Sequence, residues 1–250
     1  MDLSPIRIFL GFDHREALAY HVMCQSILDR TTAPVSITPL YAPMFDEIDP
    51  GTDGTNAFTL TRFLVPYLCN YSGWAIFADS DMLLRADLKE LWEMRGRYVF
   101  DKGVAVVKHN YHTKAPRKYL GSRMEAPNED YPRKNWSSLI LWYCGHAANR
   151  VLTPEFVREK GGKYLHRFQW LTDEQIGAIP EDWNHLVGEY PTKAASNYHY
   201  TLGVPAFKAY STGHEALHWH YTLLNALECG GEKPEHIVNR AKRMTNSAVR

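Results

Sequence analysis

Two acidic side chains, Asp79 and Asp81, directly follow a continuous apolar run and are separated by one residue. If the chain stays extended beyond the run from Trp74 to Ala78, residues i and i+2 point to the same side and the two carboxylates converge. Converging carboxylates repel each other unless a cation lies between them, and Mg²⁺ or Mn²⁺ prefers oxygen ligands and keeps positions for substrate phosphates. The spacing therefore fits a metal site for a substrate that carries a diphosphate. The alternative is that Asp79 caps a turn and Asp81 is solvated, because short D-x-D matches arise often by chance.

The elements that must position these carboxylates alternate between strand and helix patterns. Short apolar runs typical of strands lie at 6–12, 35–40, 74–78, 104–107 and 138–143. Between them, Asp13 with Glu16 has the pattern of a helix cap, and Asp87 starts another helix. The spacing of Leu60, Phe63, Leu64, Tyr67 and Leu68 predicts a core-facing helix. This βαβ alternation predicts an α/β fold with a ligand crevice beyond the carboxyl ends of the strands.

Composition and charge exclude several classes of protein. The 250 residues, 45% hydrophobic and 22% charged, are the size and composition of one globular domain. The 28 basic and 28 acidic side chains cancel, which removes the positive charge expected of a duplex-binding protein, so we expect no nucleic-acid partner. The longest stretch without a charged residue, 63–78, contains Pro66 and is shorter than the ~20 residues of a spanning helix.

The expected location is the cytoplasm. The first apolar run is broken by Asp13, His14 and Arg15 and lacks the layout of a signal peptide. The four cysteines, at positions 24, 69, 144 and 229, form no C-x-x-C pair. We expect them to be buried free thiols in a reducing compartment. The basic residues of the segment 233–250 allow at most a peripheral contact with an anionic membrane.

Several segments resemble, in the same order, the motifs of GT-A glycosyltransferases, especially the retaining family-eight type that includes glycogenin and bacterial galactosyltransferases. The match runs from about residue 6 to 207. Its segments are the D-x-D strand end in Phe77-Ala78-Asp79-Ser80-Asp81-Met82-Leu83-Leu84, the preceding Arg-containing helix in Thr61-Arg62-Phe63-Leu64-Val65-Pro66, the D-i-x-x-L of Asp87-Leu88-Lys89-Glu90-Leu91, the D-Q-x-x-L/I segment in Asp173-Glu174-Gln175-Ile176 and the H-F/Y-x-G element in His199-Tyr200-Thr201-Leu202-Gly203.

This resemblance implies a single GT-A domain, Rossmann-like, with a mixed central sheet and helices on both faces. The domain would span 1–230, with a nucleotide-sugar half at 1–107, an acceptor-side half at 108–230, and a polar basic helix or tail at 231–250. The implied activity transfers a sugar from a nucleoside diphosphate sugar, of the UDP-sugar class, to a hydroxyl of a glycan or other acceptor, with retention. The implied cofactor is Mn²⁺ or Mg²⁺, with the nucleotide-sugar as co-substrate.

The same resemblance implies roles for ten residues. The metal ligands would be Asp79, Asp81 and His199. The donor-binding residues would be Asp13, Arg62, Ser80 and Gly203. The catalytic group near the anomeric carbon would be Asp173, Glu174 or Gln175, in the role that a carboxylate plays in retaining glycosidases.

Other interpretations stay open for several of these residues. Asp13 can cap the following helix, and Arg62 can form a surface salt bridge. The segment 173–175 can be the polar first turn of a helix capped by Thr172. His218 and His220 lie on one side if their segment is extended, as an aromatic wall of the acceptor site or as core packing.

The chain also departs from the family pattern. Val204 and Pro205 follow Gly203, so the phosphate-binding lysine of that element is missing, and we expect Lys193 or Lys208 to replace it. The basic stretch 108–134 is a mobile lid, a docking surface for an anionic acceptor, or a solvated connection. Two other functions remain: a nucleotidyltransferase, which no glycine-rich phosphate loop supports, and a non-catalytic module that binds sugar nucleotides or glycans.

Overall fold

The computed structural model of the protein describes residues 4–45, 56–98, 101–228 and 230–239. Its strands are β1 (Ile6–Gly11), β2 (Val35–Leu40), β3 (Trp74–Ala78), β4 (Met82–Leu84), β5 (Val104–Val106), β6 (Arg117–Lys118), β7 (Ala126–Pro127), β8 (Leu139–Tyr143), β9 (Ile176–Ala178), β10 (His185–Leu186) and β11 (Asn197–His199). Its helices are α1 (Ala17–Leu28), α2 (Val65–Leu68), α3 (Leu88–Glu93), α4 (Arg95–Tyr98), α5 (Pro154–Leu165) and α6 (His214–Leu227). A further short helix runs over 234–239.

The central sheet has six strands in the order β2-β1-β3-β8-β5-β9. Strand β8 runs antiparallel to both β3 and β5, whereas the other neighbouring pairs are parallel. The five apolar runs all form strands of this sheet. Strands β1, β3, β5 and β8 are almost entirely buried, as expected of continuous apolar runs, whereas the edge strand β2 is mostly half-buried. The prediction of a mixed α/β sheet is therefore confirmed.

Helices cover both faces of this sheet, as predicted. On one face, Phe77 of β3 packs in a cluster with Phe63 and with Val157 of α5. On the other face, Ile76 packs with Met23 and Ile27 of α1. Because successive strand residues point to opposite faces, one strand serves both cores. Strand β3 is thereby fixed from both sides up to its last residue, which is where the aspartates follow.

A second, three-stranded sheet in the order β10-β11-β4 closes over the end of β3. Strand β11 is antiparallel to β4, and His199 lies opposite Met82. This register brings the end of β11 next to the residue that immediately precedes β4, which is Asp81. Two segments more than one hundred residues apart in the chain thus meet at one point.

Two local predictions are wrong. The segment 60–68 divides into a 3₁₀ turn over Thr61–Leu64 and the short α2, which has Pro66 in its first turn, so that Tyr67 and Leu68 are exposed instead of facing the core. The residues His218 and His220 lie in α6 and not in an extended segment. Residues two apart on a helix point in nearly opposite directions.

Other predictions are met within the described residues or fall outside them. The predicted cap at Asp87 is present, since its side chain accepts from the backbone of Lys89. Cys69 and Cys144 are buried free thiols and Cys24 is a half-buried one, whereas Cys229 lies outside the described residues. The part of the predicted tail beyond residue 239 also lies outside the described residues. Among the described helices, none is both long and apolar enough to cross a bilayer.

Candidate active site

Asp79, Asp81 and His199 form a buried cluster at the carboxyl end of β3. Each offers one ligand atom, and these atoms lie within 4.8 Å of one another. The backbone N–H of Asp79 donates to the Ser138 carbonyl at 2.8 Å, and the backbone carbonyl of Asp81 accepts from Tyr200 N–H at 2.8 Å. The carboxylates therefore converge as the D-x-D spacing predicts, although residues 80 and 81 form a turn before β4 begins.

The orientation of His199 leaves its Nε2 facing the carboxylates. Its Nδ1 lies 2.9 Å from Oδ1 of Asn184, and its Nε2 lies 3.3 Å from Oδ1 of Asp81. If Nδ1 carries the proton, a neutral imidazole presents the Nε2 lone pair toward Asp81. A lone pair and a carboxylate oxygen repel each other at this distance unless a cation lies between them.

The three side chains fit a divalent cation. Within the described part of the chain, the buried Oδ1 of Asp81 has no hydrogen-bond donor, and Oδ1 of Asp79 is paired with the Arg62 guanidinium at 2.8 Å. Buried carboxylate oxygens without a donor are costly, and a hard cation supplies the missing charge. Two carboxylates and one imidazole leave further positions open and suit Mn²⁺ better than Ca²⁺. Burial and the charge of Asp81 together raise the pKa of Asp79 to about 6, against the lowering effect of Arg62.

Arg62 is the charged neighbour of this cluster. Its Nη1 lies 2.8 Å from Oδ1 of Asp79 and 2.9 Å from the Ser137 carbonyl, and its Nε donates to the Thr59 carbonyl at 3.0 Å. The guanidinium also lies over the ring of Phe77, 4.8 Å from its centroid. Because Arg62 is only 4% exposed, the surface salt bridge considered above is wrong and the ion pair is a buried one. A direct contact with the donor stays a prediction.

The cluster opens into a cavity of about 590 Å³. The charged and polar lining residues include the basic side chains Arg62, Lys118, Lys134, Lys163 and Arg167, the acidic side chains Asp79, Asp81, Glu129 and Asp130, and the neutral groups Asn128, Asn135 and Thr201. This volume is in the range of pockets that hold a small ligand. The lining combines the Asp79–Asp81–His199 cluster with basic side chains and with neutral amide and hydroxyl groups.

Lys118 is a functional candidate that the sequence analysis missed. It lies on β6, which pairs with β7 in a hairpin, and it interacts electrostatically with Asp81, Asp79 and Glu16. Burial lowers the pKa of Lys118, and these carboxylates oppose that effect. Neither lysine proposed as the missing phosphate ligand lines the cavity, and Lys193 instead lies 2.9 Å from Glu181 and 2.8 Å from Asp182. The basic composition of the stretch 108–134 is consistent with an anion-binding segment, but the sequence alone does not distinguish Lys118 from its other basic residues.

The stretch 108–134 forms one wall of the cavity. The backbone N–H of Tyr119 donates to the Leu202 carbonyl, three residues after His199, at 2.6 Å. The side chains of Tyr119 and Met124 are buried, and Nζ of Lys134 donates to Oδ1 of Asn128 at 2.7 Å. The interpretation as a merely solvated connection is therefore wrong for this part of the stretch.

Gly203 holds that wall in place. Its φ is +149°, and a Cβ added there would lie 2.4 Å from the ring of Tyr210. The hydroxyl of Tyr210 in turn accepts from the backbone N–H of Leu120 at 3.1 Å. Only glycine leaves room for this ring. Gly203 is not among the residues that line the cavity, and its contact with a donor stays a prediction.

Two other predicted donor residues lie close to the cluster but outside the cavity lining. Asp13 accepts from the backbone and side chain of Arg15 and from Ala57 N–H, so it is the N-cap of the turn before α1. The predicted cap is confirmed, and binding of a nucleobase by Asp13 stays a prediction. Ser80 is buried, and its Oγ has no hydrogen-bond partner within the described residues.

The three predicted catalytic residues form an exposed 3₁₀ turn. The Thr172 N–H donates to Oε1 of Gln175 at 3.0 Å, which is a capping box, and Asp173 pairs with Arg133. Hydrogen bonds from its own backbone N–H and from the Thr172 hydroxyl lower the pKa of Glu174. None of the three lines the cavity, so the polar-turn interpretation is confirmed and a catalytic role stays a prediction.

Comparisons with solved structures define the class of fold. The bifunctional glycosyltransferase WbbM superposes with a TM-score of 0.61 at 15% identity, over 90% of this chain and 50% of that one. The galactosyltransferase LgtC, solved with donor and acceptor sugar analogs, gives a TM-score of 0.56 at 12% identity, over 87% of this chain and 95% of that one. The chain thus spans half the length of WbbM and has the GT-A glycosyltransferase fold.

The family follows from a sequence relative. No established protein-family profile matches the chain. Protein CDI of Arabidopsis thaliana is 42% identical over 251 residues, which cover 96% of this chain and 92% of that protein. The chain therefore belongs to the family of Protein CDI.

Proposed function

We propose that the protein is a metal-dependent glycosyltransferase of the family-eight type, which transfers a sugar from a UDP-sugar to a hydroxyl of a glycan or other acceptor with retention. The observation that carries this proposal is the buried cluster of Asp79, Asp81 and His199 at the end of β3, open to a cavity with a basic wall. The GT-A fold supports it. A cytoplasmic location belongs to the same proposal.

The chain's own residues would divide the work as follows. Asp79, Asp81 and His199 would hold Mn²⁺ or Mg²⁺, which supplies positive charge to the diphosphate leaving group. Arg62 fixes the carboxylate of Asp79 and shares its charge. Lys118, on the β6–β7 hairpin, interacts electrostatically with the same carboxylates. Its ammonium group would add a positive charge, besides that of the metal ion, to stabilise the leaving diphosphate.

The remaining cavity groups suit a sugar and its acceptor. Asn128, Asn135 and Thr201 offer amide and hydroxyl groups for sugar hydroxyls. Retention requires the acceptor on the face from which the diphosphate departs, or a protein nucleophile on the other face. For the second route, the group remains one of Asp173, Glu174 and Gln175.

Hydrolysis of donor sugars without an acceptor tests this function. The purified protein would be incubated with UDP-sugars and other nucleotide sugars in Mn²⁺ or in EDTA, with Asp81→Asn as the matched control. We expect slow Mn²⁺-dependent release of nucleoside diphosphate that the variant lacks.

Other outcomes would indicate the two alternative functions. Binding of a nucleotide sugar without release would indicate a non-catalytic module. Release of pyrophosphate from a nucleoside triphosphate and a sugar phosphate would indicate nucleotidyl transfer. The anomer released first, observed by NMR, reports retention.

A further inference from the structure

Asn184 is the hydrogen-bond partner of His199 on the side away from the carboxylates. It lies at the end of the 3₁₀ turn Glu181–Asn184, and its side chain is fully buried. Its Oδ1 lies 2.9 Å from Nδ1 of His199. The rest of its amide faces the turn that precedes β8, where Nδ2 lies 2.9 Å from Ser138 Oγ and 3.2 Å from the Asn135 carbonyl.

These contacts fix the direction of the amide. A backbone carbonyl only accepts hydrogen bonds, so the group that faces Asn135 O must be the NH₂. The oxygen Oδ1 must then face His199, and it can only accept. The imidazole therefore carries a proton on Nδ1, and in the neutral ring Nε2 has its lone pair directed at Asp81.

The same amide links the two sides of the cluster. Ser138 Oγ donates to the Asn135 carbonyl at 2.7 Å, and the Ser138 carbonyl accepts from Asp79 N–H at 2.8 Å. Asn184 thus contacts both the imidazole and the short turn whose last carbonyl holds the backbone of Asp79. Its two roles, accepting from His199 and donating to Ser138 and Asn135, are separable by mutation.

We propose that Asn184 is a positioning residue for the metal site, which acts by holding His199 in the tautomer whose Nε2 can bind a divalent cation. The inference rests on the proposed metal-dependent function. Ligating histidines donate their other N–H to a fixed acceptor, and loss of such an acceptor costs about 10–100-fold in metal affinity. Asn184 supplies that acceptor from a residue that does not line the cavity.

Two variants separate the roles. Asn184→Leu removes both the acceptor and the donor, whereas Asn184→Asp keeps an oxygen toward Nδ1–H and loses the donation to Ser138 and Asn135. Asn149→Leu is the matched control, because Asn149 is as buried as Asn184. Its Nδ2 donates to the carbonyls of Gly103 and Tyr143 at 2.9 Å each, and neither residue belongs to the Asp79–Asp81–His199 cluster. We expect N149L and N184D to bind Mn²⁺ within a few fold of the wild-type affinity. N184L should bind it about 10–100-fold more weakly than the wild type.

The measurement has two readouts. Mn²⁺ binding without nucleotide is followed by the electron paramagnetic resonance signal of the free ion. Long-range ¹H–¹⁵N NMR of the metal-free protein at pH 8 reports which imidazole nitrogen carries the proton, and the His199 signals are those absent from a His199→Gln spectrum. Wild type and N184D should show the Nδ1–H form, and N184L should lose it.

The outcomes are distinguishable. An Nε2–H form of His199 in the wild type, or wild-type Mn²⁺ affinity in N184L, overturns the role of Asn184. Equal losses in N184D and N184L also overturn it, because they would assign the effect to Ser138 and Asn135. If N184L does not fold, a loss of Mn²⁺ affinity in N184D or an Nε2–H form of His199 in the wild type still overturns the proposal. A wild type that binds no divalent ion contradicts the proposed function, while the NMR readout still tests the tautomer.

Discussion

Arg62 and Asp79 form a buried ion pair, with Nη1 of the arginine 2.8 Å from Oδ1 of the aspartate. Because Arg62 also donates to the Thr59 and Ser137 carbonyls, it fixes Asp79 from the α2 side of the cavity and contacts the turn before β8. The carboxylate proposed as a metal ligand therefore has one permanent cationic partner. Asp81, in contrast, lies 3.3 Å from Nε2 of His199 and interacts electrostatically with Lys118 of the hairpin.

The pair predicts a large stability loss for Arg62→Leu. This change leaves the Asp79 carboxylate buried without its cation, and breaking one side of a buried pair costs about 3–5 kcal/mol. Arg62→Lys keeps a charge but lacks the planar fork, so it should lose less stability. Urea unfolding of the metal-free variants measures both. Equal stability of R62L and wild type would contradict the energetic importance of the pair.

Asp79→Asn and Asp81→Asn should differ in stability but not in metal binding. Both variants remove a proposed ligand, so both should lose the stabilisation by Mn²⁺, which amounts to about 2.7 kcal/mol at a metal concentration of 100 times Kd. Without metal, D79N should be the less stable, because it leaves Arg62 without its carboxylate, whereas D81N removes a repulsive charge. Thermal unfolding with and without Mn²⁺ tests this, and Mn²⁺ stabilisation retained by both variants would rule out the cluster as the site.

Lys118→Met should weaken binding of the nucleoside diphosphate while the metal still binds. The lysine reaches the carboxylates from the hairpin, so its loss removes a cation from the diphosphate and not a metal ligand. We expect a loss of about tenfold or more, consistent with one charge-assisted hydrogen bond. Lys193→Met is the control, because Lys193 pairs with Glu181 and Asp182 outside the cavity lining. Calorimetric titration with UDP in Mn²⁺ measures the affinity of each variant. Equal UDP affinities of K118M and K193M would refute the assignment.

Glu16 predicts a pH dependence of stability. Burial, together with the charges of Asp81 and Asp13, raises the pKa of Glu16 to about 8, from an ordinary value of 4.5. The folded state therefore binds a proton that the unfolded state releases between these values, and stability falls as pH rises from about 4.5 to about 8. The limiting slope is about 1.4 kcal/mol per pH unit. The side chain of Glu16→Gln does not titrate and stays neutral over this whole pH range.

The variant Glu16→Gln should accordingly match the wild type near pH 5 and exceed its melting temperature near pH 8, both without metal. Glu155→Gln, at an exposed carboxylate in the first turn of α5, serves as the control and should follow the wild type. A parallel pH profile of E16Q and wild type would show that Glu16 does not titrate in this window.

The sequence predicts the strands and the meeting of the two aspartates for clear physical reasons. Continuous apolar runs such as 74–78 have few alternatives to a buried strand, and a polar pair at such a strand end must lie at the sheet edge. His199 follows from its resemblance to a family motif, since nothing local indicates that β11 pairs with β4. These predictions depend on short-range patterns or on a known motif.

The remaining site residues depend on tertiary pairing. Lys118 reaches the cluster because Tyr119 bonds to Leu202, and Asn184 reaches His199 from a turn of its own. No local pattern distinguishes these residues from other lysines and asparagines. The turn 173–175 shows the reverse: a family motif matches its sequence, but its side chains are exposed. Gln175 bonds to Thr172 and Asp173 pairs with Arg133.

The most direct test of the central claim is calorimetric titration of the wild-type protein with UDP, in Mn²⁺ and in EDTA. If Asp79, Asp81 and His199 hold a cation that binds the diphosphate, UDP should bind in Mn²⁺ and lose at least about tenfold in affinity in EDTA, because each ligand helps to hold the other. UDP binding of the same affinity in EDTA, or no binding of any nucleoside diphosphate in Mn²⁺, would contradict the claim.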